Sequence, residues 1–179
     1  MNNLKPILIL LALGLTCSYG VQPADLTACL DATPLVSEDE AGETLYFGAT
    51  LLDYQGKLLP KAAIIAYQAD ADGLYNPPNA GTRIPRLRAV AISNDEGEFC
   101  FKAIRPATYP DNSEPAHIHL EINAAAHKLK YVTYWFEDDS LIDDAQRQRA
   151  KRDNEIVIVP LEQSENGWQF FDEIQLEGN

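Results

Sequence analysis

The sequence predicts an all-β fold: a single-domain β-sandwich of about eight strands with one short helix in its C-terminal half. Three observations carry that prediction. From Thr44 onward, apolar β-forming residues come in short runs separated by turn residues. Only residues 140–152 combine a helix cap with matching charges at the two ends. The length, 179 residues, is enough for one domain with a substantial core.

Residues 1–20 read as a secretory signal peptide. Lys5 gives a short positive start, residues 7–15 are apolar, and Ser18 and Gly20 are the small residues before a cut at Val21. That apolar run is short for a bilayer span, so no transmembrane segment is expected in the mature chain. Export to the periplasm or beyond the cell is the expectation. Cys17 offers the alternative of a lipoprotein anchor, although Thr16 before it fits such a site poorly. Residues 21–43, polar and acidic with Pro23 and Pro34, form an N-terminal arm, and residues 44–179 form the sandwich domain.

Within the domain, the first two strands are residues 45–52 and 60–68, the second with Pro60 at its start, where a missing N–H does least harm. Residues 70–85 form a long loop rich in Asp, Gly, Asn and Pro, a length that inside a compact domain is usually either functional or disordered. Residues 88–93 and 98–104 read as a hairpin around Asn94-Asp-Glu-Gly97. A strand from His117 to Ile122 and another over residues 128–136 follow. The helix comes next, capped by Ser140, with Asp143 and Asp144 in its first turn and basic residues at its end. Residues 155–161 and 168–176 supply the last strands.

Net charge is −13, from 27 acidic and 14 basic residues. That disfavours nucleic-acid binding, which needs a basic footprint on the phosphate backbone. Cys29 and Cys100 remain after removal of the signal segment. In an oxidising compartment they could pair and tie the arm to the sheet; two free buried thiols are the alternative. The sequence leaves assembly into a homo-oligomer open.

The stretch of chemical interest is Tyr109-Pro-Asp-Asn-Ser-Glu-Pro-Ala-His-Ile-His-Leu120. On a strand, side chains two apart share a face, so His117 and His119 would point one way and Ile118 and Leu120 the other. Two neighbouring imidazoles can hold a transition metal, and a nearby phenolate would suit the site to a hard trivalent ion.

Residues 66–75, 93–101, 103–110 and 115–119, in that order, resemble segments of the intradiol ring-cleavage dioxygenases, the catechol and protocatechuate dioxygenase family. The likeness runs over roughly residues 45–136 and implies a prealbumin-like sandwich. It also implies a non-haem ferric ion (Fe3+) held by Tyr75, Tyr109, His117 and His119. The expected reaction is cleavage of a small catechol-type aromatic diol by O2 to a cis,cis-muconate-type product. Tyr109 would be the catalytic ligand, leaving the metal to take up a substrate proton.

The chain departs from that pattern at Glu114, where the family commonly has an arginine three residues before the first histidine. Tyr67 stands where tryptophan is common, and Ala107 where glycine is frequent. A carboxylate at Glu114 would repel an anionic ring, so such a substrate would need a cation from Arg83, Arg86, Arg88 or Arg105. Arg105 and Glu114 are therefore the candidate substrate-binding residues.

Plainer readings stand beside these. His127 lacks any partner motif, and Asp70 and Asp72 read as turn formers rather than calcium ligands. Trp135 and Phe136 read as core aromatics, with lining of a substrate mouth as the lesser reading, and the helix reads as a solvated cover. Residues 56–60 and 95–99 also resemble transthyretin-like and carboxypeptidase-regulatory-like modules, which gives a non-catalytic binding module as the alternative. Tyr75 together with His117 and His119 separates the two, because such a module has no need of all three.

Overall fold

Alternation along the strands divides the side chains between a closed core and two outer faces, and the site lies on one of those faces. The computed structural model describes Cys29 and residues 31–179. The expected signal segment with Cys17, and the first part of the arm, lie outside the described residues. No helix among the described residues is long and apolar enough to cross a membrane.

One sheet contains β1 (Thr33–Pro34), β2 (Thr44–Leu52), β5 (Glu98–Ile104), β9 (Glu162–Ser164) and β10 (Gly167–Gln175), in the order β1-β5-β2-β10-β9. The other contains β3 (Ala63–Gln68), β4 (Leu87–Ile92), β6 (His117–Asn123), β7 (Lys130–Phe136) and β8 (Ile156–Val159), in the order β4-β3-β6-β7-β8. Pairing is antiparallel except for β1 with β5, β2 with β10, and β7 with β8. Leu45, Phe47 and Leu51 of β2 meet Ile64 of β3, Ile118, Leu120 and Ile122 of β6, and Tyr134 and Phe136 of β7 in the shared core. Phe47 stacks between Phe101 and Phe170, with ring centres 5.3 and 5.7 Å away. Burying side chains of this size stabilises the fold by about 1.5–3 kcal/mol each.

The sandwich class is as expected, and three details differ. The described residues hold ten strands rather than about eight, because β1 and β9 are only two and three residues long. Nothing in so short a run announces a strand. The turn at residues 94–97 does not close a hairpin, since β4 and β5 belong to different sheets. Ser93 is buried there; its hydroxyl donates to Leu59 O (2.8 Å) and accepts from Ala62 N (2.9 Å). Gly97, at φ +75°, packs against Leu51 O, and Asn94 Oδ1 accepts from the amides of Glu96 and Glu98. The same turn residues serve an arch between sheets as well as a hairpin.

The third difference is the helix. α1 spans Asp144–Arg152, and its cap is Asp143, whose carboxylate accepts from Gln146 N at 2.9 Å; Ser140 has no such role. Asp139 Oδ1 accepts from Leu141 N, which turns the chain before the helix begins. Ala150 then packs α1 onto a small second core of Trp135, Ile142 and Ile156.

Cys29 and Cys100 form a disulfide with Cα atoms 5.4 Å apart, fastening the arm to β5 beside β1. The bridge joins residues separated by 71 positions, and closing such a loop removes about 4 kcal/mol of unfolded-chain entropy. Reduction, or Cys29→Ser, is expected to lower the unfolding free energy by about that amount. Urea titration with and without reductant measures it, and an unchanged midpoint would mean the bridge does not staple the fold.

Candidate active site

His117 and His119 stand on the outer face of β6 because Ile118, Leu120 and Ile122 fill the core face, each 0–1% exposed. The ring of His117 is oriented from behind: Nδ1 lies 2.6 Å from Pro115 O, so its N–H donates there and Nε2 keeps a lone pair for the site. His119 Nδ1 lies 3.0 Å from Thr133 Oγ1, and Thr133 is the residue paired with it on β7. On the other side Tyr67, paired with His119 from β3, lays its ring 4.8 Å from the imidazole. Tyr67, His119 and Thr133 thus form one row across three strands.

The two phenols arrive on loops. Tyr75 follows a turn in which Asp70 Oδ1 accepts from Asp72 N and Leu74 N, the turn-forming role expected of that aspartate. Gly73, at φ +76°, presses so closely on residue 108 that a Cβ there would overlap the Thr108 carbonyl oxygen. Ala107 N donates to Asp70 O at 3.1 Å. These contacts stitch the loop bearing Tyr75 to the segment bearing Tyr109. Arg86 adds a clamp: its backbone N–H donates to Tyr75 O, and its guanidinium binds Glu40 at 2.6 Å and Asp70 at 3.1 Å.

As a result Tyr75 Oη, Tyr109 Oη and His117 Nε2 occupy the corners of a triangle with every side 3.1 Å. Atoms converging this closely could all be held by a single ion. The ring of His119 lies 4.7 Å from that of His117, and its Nε2 has no protein partner among the described residues. Burial, and then the Tyr109 hydroxyl, push the Tyr75 phenol well above its ordinary value. An ionised Tyr75 therefore requires a neighbouring cation. Burial lowers both histidines, His119 from 6.5 to about 4, so both imidazoles are neutral and ready to ligate at neutral pH. Two phenols and two neutral imidazoles fit a hard trivalent metal. Among the described residues, no cluster of three or more His, Cys, Asp or Glu offers a rival site.

A cavity of 430 Å³ opens over Tyr109, His117 and His119, and its wall includes Glu114, Trp135 and Arg149. A second, of 670 Å³, lies beside Tyr75 and Tyr67 and is lined by Arg83 and Arg88. The structure thus places Glu114 at the site and Arg105 elsewhere. Arg105 pairs with Asp138 at 2.8 Å and stacks on Phe136 and Trp168, and it lines neither cavity. Arg86 is occupied by Glu40 and Asp70. His127 sits apart, its Nδ1 2.8 Å from Ala125 O.

Trp135 is buried as expected and also walls the cavity. Residues 144–152 do more than cover a sheet edge, since α1 carries Arg149 into that wall. The sequence reading missed Arg149 and Thr133. The strand register would have exposed Thr133 through its pairing with His119; Arg149 meets Glu114 across 35 residues of chain, with no local signal.

A family model described as "Dioxygenase" matches residues 22–177. An intradiol ring-cleavage dioxygenase of Aspergillus niger is 38% identical over 85 residues, covering 45% of this chain and 26% of that protein. Catechol 1,2-dioxygenase of Acinetobacter baylyi is 28% identical over 108 residues, covering 50% of this chain and 35% of its own. This chain therefore spans well under half the length of these relatives. Among solved structures, the dioxygenase domain of a carbohydrate-binding fusion protein from Streptomyces sp. SirexAA-E superposes with TM-score 0.64 at 19% identity, covering 82% of this chain and 88% of that one. A 3-chlorocatechol 1,2-dioxygenase of Rhodococcus opacus gives 0.63 at 21% identity, covering 84% and 69%. At these identities the structural likeness establishes the fold.

Since His119 titrates near 6.5 when unfolded and near 4 when folded, the unfolded chain takes up its proton first as pH falls. Stability of the metal-free protein is expected to decline by up to about 3 kcal/mol between those values. His119→Asn should flatten that decline in denaturant titrations across the range. An unaltered pH profile would show that His119 is not held neutral by burial.

Proposed function

The chain belongs to the intradiol ring-cleavage dioxygenase family, and on that premise we propose that it is a non-haem ferric dioxygenase. Its substrate would be a catechol-type diol, opened by O2 between the two hydroxylated carbons to a cis,cis-muconate-type product. The observation that carries this reading is the 3.1 Å triangle of Tyr75, Tyr109 and His117 with His119 beside it. A ferric ion held by these four side chains would supply the charge that keeps the phenols ionised and makes a bound diol reactive toward O2.

The chain's own residues divide the remaining work. Pro115 O and Thr133 Oγ1 hold the two imidazoles in fixed orientations. The stitched loops and the Arg86 clamp hold Tyr75. Of the two phenols, only Tyr109 lines the cavity that also holds the histidines. Its oxygen is therefore placed to receive a proton from a diol entering there. Trp135 and the row of Tyr67, His119 and Thr133 give the site walls that limit water. No observation favours the non-catalytic module, for which the four converging donors would have no use. We propose further that the protein works in an oxidising compartment outside the cytoplasm, a reading supported by the Cys29–Cys100 bridge.

Reconstitution with ferric iron should give a visible charge-transfer band that a strong chelator removes; a colourless protein would sink the metal assignment. Tyr75→Phe and His119→Ala should each lower catechol-dependent O2 uptake by about a hundredfold or more while keeping the β-sheet circular dichroism. Full activity in both variants would overturn the ligand set.

A further inference from the structure

The cavity above His117 and His119 has an unusual charge balance for a site that must accept a diol. Its charged lining is Glu114, Asp153 and Glu155 against the single guanidinium of Arg149. That cation is already engaged: Nη1 of Arg149 donates to both oxygens of Glu114, at 2.8 and 3.0 Å, and its plane rests 5.1 Å over the Trp135 ring. The stacking fixes where the guanidinium sits, and the small core of Trp135, Ile142 and Ile156 fixes the helix that bears it. With Arg149 offset by Glu114, the rest of the charged lining is negative: Asp153, whose Oδ1 accepts from the Glu155 amide at 3.0 Å, and Glu155 itself.

We propose that Glu114 and Arg149 are the specificity-determining pair of this site, and that the cavity selects diols with a cationic side arm over those with a carboxylate arm. A carboxylate entering the cavity meets Asp153 and Glu155 with no uncommitted cation in the lining. An ammonium meets the same carboxylates favourably and leaves the Glu114–Arg149 pair intact. Side-chain exposures of 46% for Arg149 and 30% for Glu114 mean that solvent screens the pair in part, so the discrimination is moderate. The inference rests on the dioxygenase reading for the identity of the diol, and on the charge lining alone for the preference between arms.

The test compares a catechol bearing an aminoethyl arm with one bearing a carboxymethyl arm. Binding is measured by calorimetry on the ferric-reconstituted protein without oxygen, and turnover by O2 uptake. The wild-type protein should bind the amine about tenfold more tightly at low salt, with the gap narrowing as salt rises. Glu114→Gln releases Arg149 and removes one carboxylate, so the ratio should shift about tenfold toward the acid. Arg149→Gln should shift it the other way. Equal affinity for the two arms in the wild-type protein, or a ratio unmoved in both variants, overturns the proposal. The predicted preference in binding with no O2 uptake from either arm or from plain catechol would uphold the pair and remove the ring-cleavage reading instead.

Discussion

The packing of one face of β6 is the constraint on which the rest of the site depends. Ile118, Leu120 and Ile122 are driven into the core between the sheets, and a strand that buries alternate residues must show the others outside. His117 and His119 have no alternative position. Slipping the strand by one residue would turn two imidazoles into the apolar core and expose three isoleucine- or leucine-sized side chains, which at about 1.5–3 kcal/mol each is comparable with the whole stability margin of a domain. The site therefore draws its rigidity from the same apolar contacts that hold the sandwich together. The register with β3 and β7 then sets Tyr67 and Thr133 on either side of His119.

The phenols depend on a different kind of support. Neither Tyr75 nor Tyr109 lies on a strand, so sheet register cannot place them. Their meeting is arranged by short polar contacts: the Asp70 turn, the close approach at Gly73, the amide of Ala107, and the guanidinium of Arg86. Each contact is modest alone, yet together they bring two hydroxyls and an imidazole nitrogen to mutual hydrogen-bonding distance. In the absence of a cation Tyr75 keeps its proton and both imidazoles stay neutral, since burial opposes charge on all three. The same burial would make a bound cation's attraction for phenolate strong, because little water competes for it.

Glu114 changes meaning in this setting. As an isolated departure it suggested an active site short of positive charge. In the fold it is the partner of Arg149, a residue 35 positions away that reaches the same cavity from α1. The four arginines closer in sequence to the motifs are elsewhere occupied or face the neighbouring cavity: Arg86 clamps the loop, Arg105 stacks on Phe136 and Trp168, and Arg83 and Arg88 line the space beside Tyr75.

Several features were legible in the sequence because they follow from local rules. Runs of β-formers with turn residues between them give a sandwich, and the alternation of His117-Ile-His-Leu-Glu-Ile122 assigns each side chain to a face. The four donors Tyr75, Tyr109, His117 and His119 were implied as a set by the resemblance of four ordered segments to the intradiol dioxygenases rather than by a local rule, and the fold brings them together. Other features depended on contacts between distant segments. Turn residues 94–97 suit an arch as well as a hairpin, so only the packing of β4 and β5 into different sheets distinguishes them. The helix cap passed from Ser140 to Asp143 because Asp139 bends the chain first. The charge of the cavity was settled by α1 docking on Trp135, which brings Arg149 to Glu114. Periodicity and motif order are written residue by residue along the chain, whereas the partner of a long charged side chain is fixed only when the sheets and helix have packed.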